Sequence, residues 1–125
     1  MNNGRTILLA EDDDLLRKSY ELLFTKEGYT IVTVNNGNDA LRRGLEGGYS
    51  MILLDVMMPH KDGLTVLAEL RAATPFQPNG PIVMLTTLSE DKVVQQALTH
   101  GALAVIEKSS LTPKQVVDKV TELLS

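Results

Sequence analysis

A chain of 125 residues with 43% hydrophobic and 22% charged residues is typical of a single globular domain, expected here over residues 1–125, and excludes a disordered or fibrous protein. The absence of cysteine excludes disulfides and thiolate sites, so any bound metal needs oxygen or imidazole ligands. The net charge of −4 disfavours direct nucleic-acid binding, and no apolar run approaches the roughly 18 residues that span a bilayer, so we expect a cytoplasmic protein that does not bind membranes.

Five short apolar runs along the chain have the length of β-strands. They cover residues 7–10, 30–34, 51–54, 82–85 and 102–106. Most of these runs are nearly continuous rather than alternating, which is typical of strands covered on both faces of a parallel sheet.

Segments with helical periodicity lie between the apolar runs. In the first of them, Leu16, Tyr20 and Leu23 recur on one helical face. The last helix has the clearest start, because Thr112 can cap it and Gln115, three residues on, completes a capping box. Five βα repeats with right-handed crossovers predict an α/β fold, a doubly wound five-stranded parallel sheet with five helices. The proline-rich stretch 74–81 is predicted to be a loop.

Polar residues follow four of the predicted strands. In open α/β sheets ligands bind beyond the carboxyl ends of the strands. Glu11 and Asp12 come after the first strand, Asp55 after the third, Thr86 after the fourth and Lys108 after the fifth. Carboxylates crowded at one edge repel each other unless a cation such as Mg²⁺ neutralises them. The pattern therefore predicts a Mg²⁺ site in which an aspartate attacks phosphorus while lysine neutralises the transferring oxygens.

Each of these residue types also has an ordinary structural explanation. Asp13 and Asp14 suit the first turn of a helix, where acids are favoured by the helix dipole. Taken singly, Asp55 could be a turn residue, Lys108 a surface amine and Thr86 a β-branched strand end. The functional interpretation depends on the matching positions of these side chains at the strand ends.

Four motifs occur in a specific order and spacing. They are Ile-Leu-Leu-Ala-Glu-Asp-Asp at 7–13, Leu-Leu-Asp-Val-Met-Met-Pro at 53–59 followed by Asp62-Gly63, Met-Leu-Thr at 84–86, and Gly101-Ala102 with Lys108. Together they resemble, over essentially the whole chain, the receiver domain of two-component response regulators, in particular single-domain, chemotaxis-regulator-like receivers. The resemblance implies a flavodoxin-like fold with strand order 2-1-3-4-5.

The resemblance also implies a role for each site residue. Asp55 would accept a phosphoryl group from a sensor histidine kinase or phosphotransfer protein, and Thr86 and Lys108 would hold the phosphoryl oxygens. The implied Mg²⁺ ligands are oxygen atoms of four residues: Glu11 (largely through water), Asp12, Asp55 and the backbone carbonyl of Met57. Such a domain is a self-resetting switch rather than a turnover enzyme. It would act on a downstream effector protein, with room for a phosphorylation-dependent homodimer.

Three positions depart from the family pattern. Ser109 stands where a proline, often with a cis bond, usually follows the lysine, and a cis non-proline bond would cost about 2.5–4 kcal/mol. The path of the chain there is therefore left open. Val105 occupies the position of the family's switch aromatic, and Thr87 replaces a residue that is often small. Their effects on switching and on the phosphoryl lifetime are not predicted.

Three other functions are compatible with parts of the pattern. A phosphohydrolase with an aspartate nucleophile would resemble a D-x-D pattern, but Met57 is the second residue after Asp55. A flavin-binding protein would want a Ser/Thr/Gly-rich loop where the chain has the acids of 11–14. A receiver-like interaction module that works without phosphorylation stays open. Because the sequence ends at Ser125 without an output domain, we expect the effect to pass to another protein unless the chain is part of a longer regulator. The surface of the fourth helix, fifth strand and fifth helix is then the hypothetical partner face.

Overall fold

A computed structural model of the chain describes residues 3–87 and 90–125, and five parallel strands form one sheet in the order β2-β1-β3-β4-β5. The strands are β1 (Thr6–Ala10), β2 (Thr30–Val34), β3 (Met51–Asp55), β4 (Ile82–Thr86) and β5 (Ala104–Glu107). The helices are α1 (Asp14–Lys26), α2 (Gly37–Glu46), α3 (Gly63–Ala72), α4 (Asp91–Thr99) and α5 (Pro113–Leu124), with a 3-10 turn over Lys108–Ser110. The predicted doubly wound α/β fold is confirmed. No helix within the described ranges has the length and apolar character of a membrane span.

Two hydrophobic cores lie on opposite faces of the sheet. Successive side chains of a strand point to opposite faces. In β1, Ile7 and Leu9 pack towards α1 and α5, whereas Leu8 and Ala10 pack towards α2, α3 and α4. These four side chains are completely buried. The double burial explains why the central strands are continuous apolar runs in the sequence.

Side-chain caps fix the starts of all the α-helices except α4. Asp13 caps α1 through a hydrogen bond from the backbone N–H of the third helical residue, and Asp14 forms an ion pair with Arg17. The structural explanation of these two acids is therefore confirmed. Thr112 and Gln115 form both hydrogen bonds of the predicted capping box at α5.

The fifth strand begins two residues later than predicted. Gly101 has a φ of +94°, and the N–H of Ala102 donates to the carbonyl of Ala97, so both residues still close the end of α4. The pairing with β4 starts only at Ala104. Apolar character at 102–103 was thus mistaken for strand character. The predicted loop over 74–81 is confirmed.

The chain after Lys108 follows a short 3-10 turn. Every peptide bond among the described residues is trans, including the bond between Lys108 and Ser109. Val105 pairs in register with Met84 and is half-buried against the core on the α2, α3 and α4 side. The turn brings the chain directly from β5 to the start of α5.

Glycines let two helices begin against the end of β3. The N–H of Gly63 donates to the carbonyl of Val56, and a Cβ at Gly63 would lie 2.1 Å from the Asp55 carbonyl oxygen. A Cβ at Gly37 would lie 1.8 Å from the carbonyl oxygen of Lys61. The loop that follows Asp55 is therefore closely packed against the starts of both α2 and α3.

We expect Gly63→Ala to lower the free energy of unfolding by about 2 kcal/mol or more, because the new Cβ overlaps backbone that cannot rotate away. Urea denaturation measures the change. Gly44→Ala is the matched control, since its Cβ would meet the flexible Leu70 side chain at 2.7 Å rather than backbone. Equal losses in both variants would contradict the packing argument.

Candidate functional site

The predicted polar residues meet at the carboxyl edge of the sheet. Asp55 and Thr86 are the last residues of β3 and β4, Glu11 directly follows β1, and Lys108 directly follows β5. These four strands are consecutive in the sheet order. Glu11, Asp55 and Thr86 are buried. The convergence that the sequence predicts is therefore present in the structure.

One ammonium group joins two buried carboxylates. The Nζ atom of Lys108 lies 2.6 Å from Oε1 of Glu11 and 2.6 Å from Oδ2 of Asp55. The exposed fractions of the side chains are 9% for Lys108, 0% for Glu11 and 3% for Asp55. Water cannot screen these charges effectively, so the ammonium group is what compensates both carboxylates.

Burial changes the acidity of these groups. Burial raises the pKa of Glu11 to about 7. The hydrogen bond from Lys108 offsets part of this rise, and the nearby Asp55 adds to it. Burial by itself would lower the pKa of Lys108, but its hydrogen bonds with Asp55 and Glu11 outweigh that effect and raise the pKa. Lys108 therefore stays charged at neutral pH, whereas Glu11 is only partly ionised there. Full ionisation of Glu11 would leave two negative charges facing one positive charge, and a further cation would favour that state.

Three carboxylates form a cluster that suits a metal ion. Glu11, Asp12 and Asp55 each offer an oxygen atom, and these atoms lie within 4.8 Å of one another. Two of the residues are buried and Asp12 is exposed, so the cluster is open to solvent on one side. An all-oxygen donor set with access for water is what Mg²⁺ prefers. The residues therefore fit the predicted metal.

Met57 lies beside the same cluster. Its N–H donates to Oδ1 of Asp55 over 3.2 Å, and its side chain is 70% exposed. The hydrogen bond orients the carboxylate from the loop side. The metal-ligand role of the Met57 carbonyl stays a prediction.

The first turn of α1 holds Glu11 in place. Oε2 of Glu11 accepts the N–H of Asp13 over 3.1 Å, and the Glu11 carbonyl accepts Nη1 of Arg17 over 3.1 Å. Arg17 is not among the residues that the sequence pattern places at the site. Arg17 stands three residues after Asp14, a spacing typical of an ion pair on a helix surface. That spacing was the only sign in the sequence that Arg17 interacts with the acids before it.

Thr86 lies on the next strand from Asp55. In the register of β3 and β4, Asp55 is opposite Leu85, which places Thr86 one residue further along the edge. Thr86 is in turn opposite Glu107, the residue before Lys108. The register thus brings the predicted hydroxyl and ammonium groups to neighbouring strand ends.

Two residues considered only as departures contact each other. The hydroxyl of Ser109 donates to the carbonyl of Thr87. Ser109 directly follows Lys108, and Thr87 directly follows Thr86. This adjacency to predicted site residues was the only sign in the sequence that the two residues lie near the site.

Comparison with known proteins agrees with this geometry. Residues 7–121 match the sequence model of the response regulator receiver domain. The chain belongs to this family. The match includes every residue of the carboxylate cluster and Lys108.

Curated relatives of this receiver domain are response regulators. It is 34% identical to the transcriptional regulatory protein ResD of Bacillus subtilis over 122 residues, which are 98% of this chain and 49% of ResD. It is 33% identical to the transcriptional regulatory protein SrrA of Staphylococcus aureus over 118 residues, which are 94% of this chain and 47% of SrrA. The chain therefore spans about half the length of these relatives.

Solved structures show the same fold at low sequence identity. The receiver domain of the Francisella response regulator 1452 has a TM-score of 0.84 and 24% identity, with 97% of each chain covered. A CheY-like receiver domain protein from Methanospirillum hungatei has a TM-score of 0.83 and 23% identity, with 96% of this chain and 93% of the other covered. These likenesses establish the backbone fold of the receiver domain.

We expect Lys108→Met to lower the free energy of unfolding in EDTA by about 3 kcal/mol, because it leaves two buried carboxylates without their cation. Adding Asp55→Asn should restore part of the loss, since it removes one of the two charges. Urea denaturation is the measurement.

Lys114→Met is the control for this prediction. The pair of Lys114 with Asp118 has exposed fractions of 67% and 57%, so its loss should change stability by less than about 1 kcal/mol. Equal losses for the Lys108 and Lys114 variants would refute the compensating role of Lys108.

Proposed function

We propose that this receiver domain is a phosphoacceptor switch. Asp55 takes a phosphoryl group from a sensor histidine kinase or phosphotransfer protein with Mg²⁺, and the phosphorylated form binds a downstream effector protein differently. The observation that carries the proposal is the buried pair of carboxylates, Glu11 and Asp55, that share the Lys108 ammonium at the sheet edge.

Asp55 is the nucleophile in the proposed transfer. One of its carboxylate oxygens forms a bond to phosphorus while the bond from phosphorus to the donor's histidine nitrogen breaks, and that nitrogen keeps the electron pair. Lys108 already contacts Asp55 and can neutralise an oxygen of the transferred group. Thr86 supplies a hydroxyl from the neighbouring strand. Positioning and charge compensation are the main requirements of such a transfer.

The metal would be held directly by the carboxylates of Asp12 and Asp55 and by the Met57 carbonyl, with Glu11 acting largely through water. When bound, Mg²⁺ supplies the positive charge that the cluster lacks. Asp12, as the exposed member of the cluster, keeps the solvent side accessible to a phosphodonor. The same access admits the water that would later remove the phosphoryl group from Asp55, so the switch resets itself.

Phosphorylation changes the charge balance around Lys108. A phosphoryl group carries about −1.5 to −2 charges at pH 7, but on Asp55 it replaces the charge of the carboxylate, so the site gains about one negative charge at most. Lys108 must then divide its interactions between Glu11 and the phosphoryl oxygens. The Thr86 hydroxyl would move to hydrogen-bond another of these oxygens. This change would reach the surface of α4, β5 and α5, the proposed face for an effector or a second phosphorylated copy. ResD and SrrA are named as transcriptional regulators, and we extend only the receiver role to this chain.

Asp55→Asn should abolish phosphorylation, because the amide is not a nucleophile for phosphorus. Intact mass after incubation with a small phosphodonor and Mg²⁺ should show one added phosphoryl group on the wild-type protein and none on the variant. EDTA should have the same effect as the substitution. Asp118→Asn, an exposed aspartate on α5, should be labelled like the wild type. Failure of the wild type to label, also with a cognate kinase, would favour the phosphorylation-independent interaction module.

Mg²⁺ should stabilise the wild-type protein by about 1.4 kcal/mol at ten times its dissociation constant, because only the folded chain assembles the ligands. Asp12→Asn should lose most of this increment. Asp13→Asn is the matched control, since asparagine caps a helix as well as aspartate does. Thermal unfolding with and without Mg²⁺ is the measurement, and an equal response of both variants would disprove the role of Asp12.

A further inference from the structure

A side-chain hydrogen bond joins the two loops that carry the proposed phosphoryl-holding residues. Thr87 follows Thr86 at the end of β4, and Ser109 follows Lys108 after β5. The hydroxyl of Ser109 donates to the Thr87 carbonyl over 2.5 Å, across 22 positions of sequence. Each partner of this bond is thus the immediate chain neighbour of a residue that we place at the phosphoryl group.

The Thr87 carbonyl is the nearer acceptor for the Ser109 hydroxyl. A serine hydroxyl has one proton to donate. Its other acceptor contact, with Oε1 of Glu107, is longer, at 3.3 Å. The neighbouring Ser110 has the same chemistry but donates to the Glu107 carbonyl over 3.2 Å, within its own turn. Only Ser109 of this pair therefore links the turn to the β4 end.

The bond lies just beyond the end of the β-ladder. The last pair of β4 and β5 is Thr86 with Glu107. Lys108 comes after this pair, and its ammonium reaches past the end of β4 to Asp55 on β3 and to Glu11 after β1. The bond between Thr87 and Ser109 extends the connection between the ends of β4 and β5 beyond the ladder. Lys108 therefore lies between two points at which the chain from β5 is attached to the end of β4.

We propose that Ser109 is a positioning residue for phosphoryl transfer to Asp55. It holds the end of β4 against the turn after β5, so that Thr86 and Lys108 keep their relative placement at the phosphoryl group. This inference rests on the proposed function. Because Ser109 and Thr87 are exposed, water competes for the bond, and its loss has a modest effect.

The test compares initial rates of Asp55 labelling by a small phosphodonor with Mg²⁺, measured by intact mass, in four proteins. Ser109→Ala should be slower than the wild type by about threefold to tenfold, which corresponds to the loss of one hydrogen bond. Ser109→Thr retains a hydroxyl and should stay within about twofold of the wild type. Ser110→Ala, the matched control, should label at the wild-type rate.

Two further measurements separate positioning from folding. Thermal unfolding shows whether each variant is folded at the assay temperature. The dependence of the rate on phosphodonor concentration should show a lower saturating rate for Ser109→Ala with little change in the half-saturating concentration, since the donor's own contacts are unchanged.

The outcomes distinguish the two proposals. If the wild type is labelled and Ser109→Ala is labelled equally fast, the role of Ser109 is overturned while the phosphoacceptor function stands. A decrease of the same size in Ser110→Ala, or no recovery in Ser109→Thr, also overturns it. If neither the small phosphodonor nor a cognate kinase labels the wild type on Asp55, the proposed function fails and this inference fails with it.

Discussion

The sharing of one ammonium group by two buried carboxylates is the interaction on which this site depends. Glu11 and Asp55 stand at the neighbouring ends of β1 and β3, and Lys108, which lies 2.6 Å from both, compensates their charge. The three groups belong to three different strand ends, so the ion pair also ties β1, β3 and β5 together at one edge. One positive charge does not balance both carboxylates once Glu11 is ionised, and the exposed Asp12 adds a third carboxylate. This shortage of positive charge suits the site to bind a cation.

The scaffold around the site is rigid where the chemistry needs fixed positions. The central strands are buried on both faces, and Gly37 and Gly63 allow two helices to start in contact with the segment around Asp55. The first turn of α1 holds Glu11 through Asp13 and Arg17. Backbone packing therefore fixes the carboxylates from the β1 and β3 side. On the β5 side, Lys108 leaves the sheet through a short turn, and side-chain hydrogen bonds take the place of ladder hydrogen bonds.

The departures from the family pattern fall on that second side. Val105 is half-buried opposite Met84, where the family pattern has an aromatic side chain. Ser109 continues the chain through a trans peptide bond and contacts Thr87. The acid cluster and Lys108 thus follow the family pattern, while the connection from Thr86 towards α4, β5 and α5 is built from different residues. The acid cluster is therefore what this chain has in common with the family pattern, and the side of β4 and β5 is where its residues differ.

The fold class, the α5 capping box and the identity of the converging residues were predictable from residue pattern alone. So were four of the five strand positions, to within a residue. These features were predictable because burial on both faces, capping and the parallel-sheet edge rule are local or topological constraints. The start of β5 was wrong because Ala102 is apolar for packing at the end of α4, and composition cannot distinguish that use from a strand. The contacts of Lys108 with Glu11, of Arg17 with the Glu11 carbonyl and of Ser109 with Thr87 were decided only by the tertiary structure. They join distant segments or depend on side-chain direction, and neither is encoded in the spacing of residues along the chain.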